Sequence, residues 1–230
     1  MIEADSSQFQ IQKLAYKSKS REDFWIEFIN QFKISVSAEV GVFKGDFAEN
    51  ILKNCKSISK YYMVDPWKHL DGWNKPANQN DDTFCKFYQE TIDKTEFAKE
   101  KREILRGKTT EVIDRIPDNS LDFAYIDGDH TLKGITIDLI NVYPKIKEGG
   151  WLGGDDFSET IWQHSYEFEP TLIFPFAVYF AEAKNEEIFA LPHHQFLIKK
   201  LSNNNFKFIN YTDKYKELNL KNQFLQIKEI

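Results

Sequence analysis

The chain has 230 residues, 41% hydrophobic and 29% charged, the size and composition of one globular domain with a well-buried core rather than of a disordered chain. A formal net charge of −6 and a pI near 5.5 leave no basic face to neutralise phosphates, which excludes nucleic acid as the main partner. The longest apolar run, 172–181, is broken by Pro175 and is too short to span a bilayer. Residues 1–16 have no apolar signal region. Cys55 and Cys85 form no close-spaced pair, so the reading is a cytoplasmic protein with reduced, mostly buried thiols and no membrane partner.

Residues 1–19 are polar and weakly patterned and read as a flexible arm. Ser20, three residues before Asp23, marks a helix start, and Phe24, Trp25, Phe28, Ile29 and Phe32 follow at helical spacing. From residue 34 strands and helices alternate. Strands are expected at 34–42, 60–64, 103–105, 121–126 and 151–154, with helices at 46–55, 81–98, 110–116 and 131–147, the last closed by Gly149-Gly150. Residues 66–80 form a long loop. A helix over 171–183 precedes two apolar runs, 187–191 and 195–199, that flank Pro192-His193-His194 as a β-hairpin; a weak strand is expected at 206–210. The expected fold is α/β and Rossmann-like: a mostly parallel, seven-stranded sheet ending in the antiparallel hairpin, with helices on both faces. The organisation is an N-terminal arm and helix at 1–33, a ligand-binding domain at 34–200 and an extension at 201–230 packed on that domain.

Ligands of such sheets bind outside the carboxyl ends of the strands, and the unusual residues collect there. Glu39-x-Gly41-x-x-x-Gly45 closes the first strand and opens a helix. Phe43 stands where a dinucleotide fingerprint needs its middle glycine, and Asp46 at the helix start disfavours a phosphate. The loop suits a zwitterionic amino acid better than a pyrophosphate. Asp65 ends the second strand and is placed to accept ribose hydroxyls. Asp127 and Asp129 end the fourth parallel strand, Asp155 and Asp156 the fifth. Either a divalent metal neutralises Asp127, Asp155 and Asp156, or some of these acids face solvent or cap helices, as Asp129 does for the helix starting at 131. His130 sits where an imidazole takes a proton from a substrate hydroxyl. The loop carrying Trp67, His69, Trp73 and Asn78 is long enough to act as a lid.

Taken together, the segments from Ala38 to Phe47, Val64 to Trp67, Tyr125 to His130 and Gly149 to Phe157 resemble the class I S-adenosylmethionine-dependent methyltransferases, in particular the small bacterial enzymes related to O-methyltransferases of sugars and catechols. The resemblance implies methyl transfer from S-adenosyl-L-methionine to a hydroxyl of a small-molecule acceptor, with Mg²⁺ on Asp127, Asp155 and Asp156. It implies Asp127 and His130 as catalytic residues, His130 being the general base. It also implies cofactor contacts from Glu39, Gly41, Phe43, Gly45, Asp65, Trp67 and Asp127, with Gly107 and Lys108 lining the adenine. The rival readings are an NAD-type or iron-dependent oxidoreductase on a Rossmann-like fold and a non-catalytic cofactor-binding scaffold. A homodimer is left open.

Overall fold

The computed structural model describes residues 6–215. Its elements follow in the order α1 (Ser6–Lys17), α2 (Arg21–Gln31), β1 (Val36–Val40), α3 (Asp46–Asn54), β2 (Lys60–Asp65), α4 (Asp81–Lys94), β3 (Arg102–Arg106), α5 (Thr109–Val112), β4 (Leu121–Ile126), α6 (Leu132–Val142), β5 (Ile146–Gly154), α7 (Ile173–Lys184), β6 (Glu187–Leu191), β7 (Gln195–Lys199) and β8 (Lys207–Asn210). The strands form one sheet in the order β3-β2-β1-β4-β5-β7-β6-β8. Strands β1 to β5 are parallel to one another, β7 runs antiparallel to both β5 and β6, and β8 lies parallel to β6. The 206–210 run therefore adds an eighth strand to the seven expected.

Two apolar layers sandwich the sheet. One joins α1 to α4 around Trp25, Phe28, Phe47 and Trp151; the other joins α5 to α7 around Leu139, Phe157, Ile188 and Phe196. Ser20 caps α2 by accepting from the Asp23 backbone N–H at 3.1 Å. That cap sets the helix so that Phe24, Trp25, Phe28 and Ile29 all face inward, each large side chain contributing roughly 1.5–3 kcal/mol by burial.

Two expectations need correction here. Residues 6–17 are not an arm: they form α1, with Ile11 and Ala15 buried, because Ile11, Leu14 and Ala15 share one helical face. Gln8 donates to Glu187 at 2.8 Å and Tyr211 donates to the Gln8 carbonyl at 3.1 Å, which ties α1 to the far strands. Residues 1–5 of that arm, and 216–230 of the C-terminal extension, lie outside the described residues. Gly149-Gly150 does not end a helix: α6 stops at Val142, before Pro144, whose missing N–H cannot continue the ladder. The two glycines lie instead within β5, where the register to β4 shifts and Gly149 takes a φ of +79°. Of the thiols, Cys55 is buried and Cys85 exposed, both free.

Candidate active site

The carboxyl ends of β1, β2, β4 and β5 open into a cavity of about 690 Å³. Its floor is the turn after β1. Gly41 has a φ of +88°, and a β-carbon there would lie 2.1 Å from the Asp127 carbonyl oxygen. Only glycine lets these two strand ends meet. Gly45, at φ +76°, is the N-cap of α3 and packs on Thr91. Phe43 is left-handed as well, at φ +54°. Its carbonyl accepts from Trp67 Nε1 at 2.7 Å and from the Thr91 hydroxyl at 3.1 Å, so the turn is braced from behind. Gly41, Phe43 and Glu39 line the cavity, whereas Gly45 and Trp67 support its wall from outside.

Asp65 lines the cavity too, and its carboxylate also holds backbone amides. Oδ2 accepts from the backbone N–H of Val42 and of Phe43, both at 2.9 Å, and Oδ1 from that of Trp67 at 2.7 Å. The residue clamps the turn. Glu39 is 1% exposed. The Tyr61 hydroxyl donates to its Oε2 at 2.9 Å, and among the described residues no basic side chain hydrogen-bonds it. Burial, reinforced by the charges of Asp127 and Asp65, holds its carboxyl well above the usual range. Glu39 thus fits a site that awaits a cation, such as an amino acid's ammonium group, and the Gly41 cradle leaves backbone bare beside it.

At the ends of β4 and β5 the acids converge, as expected, but they are not alone. Arg21, the first residue of α2, places Nη1 on the Asp155 carboxylate and 3.1 Å from Asp127 Oδ2. Gln195 donates to Asp155 as well. His130 sits between Asp156, 2.7 Å from its Nδ1, and Asp127, 3.5 Å from its Nε2. Burial works against its charge, but the neighbouring carboxylates of Asp127 and Asp156 outweigh burial and push the imidazole up to about 10, while Nε2 itself is buried without a hydrogen-bond partner. The two flanking carboxylates thus favour the charged form of His130. Asp129 is not the cap of α6, since Thr131 is. Its Oδ1 accepts from the Thr131 backbone N–H and from Trp73 Nε1, both at 2.9 Å.

This donor set does not fit Mg²⁺. The side chains whose ligand atoms gather within 4.8 Å of one another are Asp127, His130 and Asp156, and Asp155 is not in that group. A hard cation that prefers oxygen ligands would meet an imidazole wedged between two carboxylates, with a guanidinium on one of them. Arg21, together with a protonated His130, offsets at most two of the three carboxylate charges.

The cavity is also lined by Gly107, Lys108, Thr109 and Asp138. Asp138 is 5% exposed, and its Oδ1 accepts from the Thr109 hydroxyl at 2.6 Å. Over the acids, residues 66–80 and 155–172 are sewn together into a roof. Asn78 ties the first loop to itself through Leu70 and Trp73. Lys75, buried, donates to the Glu169 carbonyl at 2.7 Å and to Thr171 at 3.2 Å, and Glu169 N–H donates to the Asn74 carbonyl at 3.2 Å. Gln163 and His164 complete the wall beneath it.

The sequence profile of a family described as a methyltransferase domain matches residues 38–157, just over half of the chain. The chain belongs to the methyltransferase domain family. Its fold is that of a class I S-adenosylmethionine-dependent methyltransferase. The methyltransferase is similar in fold to an O-methyltransferase of Bacillus cereus solved in complex with S-adenosylhomocysteine, at 14% identity and a TM-score of 0.58 over 88% of this chain and 93% of that one. It is also similar to a methyltransferase of Geobacter sulfurreducens (11% identity, TM-score 0.52, 88% and 91% covered) and to an O-methyltransferase family protein of Burkholderia thailandensis (9%, 0.53, 86% covered). It spans 56% of the Burkholderia chain. No curated protein matches its sequence.

Sequence reasoning placed most of the methyltransferase's cavity wall and missed several polar residues in it, among them Arg21, Lys75, Asp138, Gln163 and His164. Arg21 directly follows the recognised cap Ser20, yet nothing in the sequence says that this helix start faces a sheet end more than a hundred residues away. Asp138 interrupts the apolar face of α6 between Ile135 and Leu139, and a lone acid at a buried helical position was the available signal. Among the described residues no helix is long and apolar enough to cross a membrane.

Proposed function

We propose that this methyltransferase acts on a hydroxyl of a small, sugar-like molecule. The observation that carries the reading is the lining of one cavity, which brings the Glu39 turn, Gly107 and Asp138 together with the acids and the 66–80 roof. Its volume lies within the range of about 300–1,000 Å³ typical of sites for whole small ligands. S-adenosylmethionine would supply an electrophilic methyl group on a sulfonium. Glu39 would pair with its ammonium group, backbone at Gly41 would flank its methionine end, and Gly107, Lys108 and Asp138 would surround its adenine.

The roof residues Trp73, Lys75, Gln163 and His164 would hold the acceptor hydroxyl in line with the methyl and keep water out, so positioning supplies much of the rate. The cofactor would give up its methyl carbon to that oxygen, the carbon–sulfur electron pair staying on sulfur. The hydroxyl proton needs an acceptor. His164 lines the cavity under the roof, and burial, helped by the charge of Lys75, lowers its imidazole from the ordinary histidine range, so we assign it this role. No step passes through a metal ion.

The test is release of S-adenosylhomocysteine from a panel of sugars and catechols, each paired with its deoxy analogue. Turnover should require the free hydroxyl and fall by about 10²–10⁴-fold in His164→Gln, the usual worth of a general base, with S-adenosylhomocysteine binding kept. A His164→Gln enzyme as fast as wild type removes the assigned base. Turnover with none of the hydroxyl acceptors but with thiols or amines removes the O-methyl reading.

A further inference from the structure

Three acids face one another at the mouth of this cavity, and something positive must hold them there. We infer that Arg21 is the resident cation of the active site: its guanidinium takes the place of a divalent metal and offers its free edge to the acceptor oxygen. This rests on the methyl-transfer reading above for the identity of the acceptor, but not for the charge balance.

The argument starts from position. Arg21 lies outside the family-matching segment 38–157, yet it lines the cavity. Nη1 is shared between Asp155 and Asp127, and Nε donates to Glu22 Oε1 at 2.9 Å. The guanidinium carbon stands 5.8 Å above the Phe47 ring, which is itself stacked on Tyr125 at 4.2 Å. Those partners fix the plane of the fork. They use Nη1 and Nε and leave Nη2, with two N–H groups, making no hydrogen bond to a described residue. The side chain is 32% exposed and lines the cavity.

The helix that carries Arg21 is equally constrained. Its neighbour Trp25 donates Nε1 to Gln195 Oε1 at 2.7 Å, while Nε2 of the same Gln195 donates to Asp155. Asp155 is therefore held from α2 and from β7 at once, and it cannot turn toward an ion without breaking both contacts. A planar fork that is always charged suits such a site, since it needs no open coordination position and does not exchange with solvent. Placed beside an oxygen that gains negative charge as its proton leaves, fixed N–H donors stabilise that charge without reorganisation.

The experiment is titration of the full chain, saturated with S-adenosylhomocysteine, with MnCl₂, followed by electron paramagnetic resonance and calorimetry. Wild type, Arg21→Lys, Arg21→Met and Asp127→Asn are compared, with the melting shift on S-adenosylhomocysteine confirming that each is folded and loaded. Wild type and Arg21→Lys should leave Mn²⁺ free at millimolar concentration. Arg21→Met, which strips the cation from two carboxylates, should bind it at one site. Stoichiometric Mn²⁺ binding by wild type that is lost in Asp127→Asn would overturn the inference. So would an Arg21→Met protein that is loaded yet still excludes the ion. Should Arg21→Met not fold, the wild-type titration decides alone. If Mn²⁺ is excluded but no hydroxyl acceptor is methylated, the resident cation stands and the acceptor assignment falls.

Discussion

Gly153 in β5 lies directly beneath the indole of Trp25. A β-carbon at 153 would come within 2.4 Å of Trp25 Cη2 and 3.1 Å of the Phe196 carbonyl oxygen, so the fit of α2 on the sheet depends on a missing methyl group. Trp25 is fully buried and stacks on Phe123 at 5.0 Å. Gly153→Ala should therefore destabilise the protein by about 1–3 kcal/mol, the usual cost of overpacking a tight core. Pairing it with Trp25→Phe should cost less than the sum of the two single changes. Urea denaturation of the four proteins checks this, and an unchanged midpoint for Gly153→Ala would show that α2 simply shifts to make room.

Asp138 gives the protein a pH dependence of defined sign. Burial, reinforced by the charge of Asp129 and opposed by the hydrogen bond from Thr109, pushes its carboxyl up to about 7. In the unfolded chain the same group titrates near 3.9. Between these values the folded state binds more protons than the unfolded state, so stability falls as pH rises from about 4 to about 7, and the full penalty is present above that. Asn at this position keeps an oxygen for Thr109 and removes the charge. Asp138→Asn should be more stable than wild type at pH 8, by up to about 4 kcal/mol, with the advantage fading toward pH 4. A difference that is the same at both ends of the range would mean that the Asp138 charge is not what matters.

The clamp at Asp65 can be separated from a ribose contact. Three backbone N–H groups donate to its carboxylate, and an asparagine would present an NH₂ to at least one of them. Asp65→Asn should lower the stability of the ligand-free protein by roughly 1–3 kcal/mol, the cost of an unpaired buried donor, and weaken S-adenosylhomocysteine binding as a consequence. A variant that is as stable as wild type without ligand, yet binds S-adenosylhomocysteine poorly, would return Asp65 to the ribose.

The sheet was legible because each parallel strand is a short apolar run that ends in a polar or glycine-containing turn, and the hairpin 187–191 and 195–199 was legible for the same reason. The cavity wall followed from the rule that strand ends hold ligands, which found Glu39, Asp127, Asp155 and Asp156 without any contact being known. What the residues do there was harder to read. The sequence lists charges but not their partners. The clamping contacts of Asp65 were not legible because the amides of Val42 and Phe43 lie on another strand's turn. The neighbours of His130 were not legible either, because Asp127 and Asp156, twenty-nine residues apart in the chain, flank it only after folding. The arm at 6–17 was misread because its small apolar face, Ile11 and Ala15, is too short to stand out from a polar background and gains its meaning from β6 and Tyr211.

The position of Arg21 and Trp25 also bears on where this protein can be cut. The segment that matches the family begins at residue 38, and an expression fragment started there would look complete by every motif in it. It would lack the guanidinium that sits on Asp155 and Asp127 and the indole that fills the hollow over Gly153. Three carboxylates would be left facing one another beside an open apolar hole. The smallest unit that carries the whole catalytic pocket therefore begins upstream of the family boundary, at or before Ser20, and sequences grouped with this one by the 38–157 segment alone need not share its pocket.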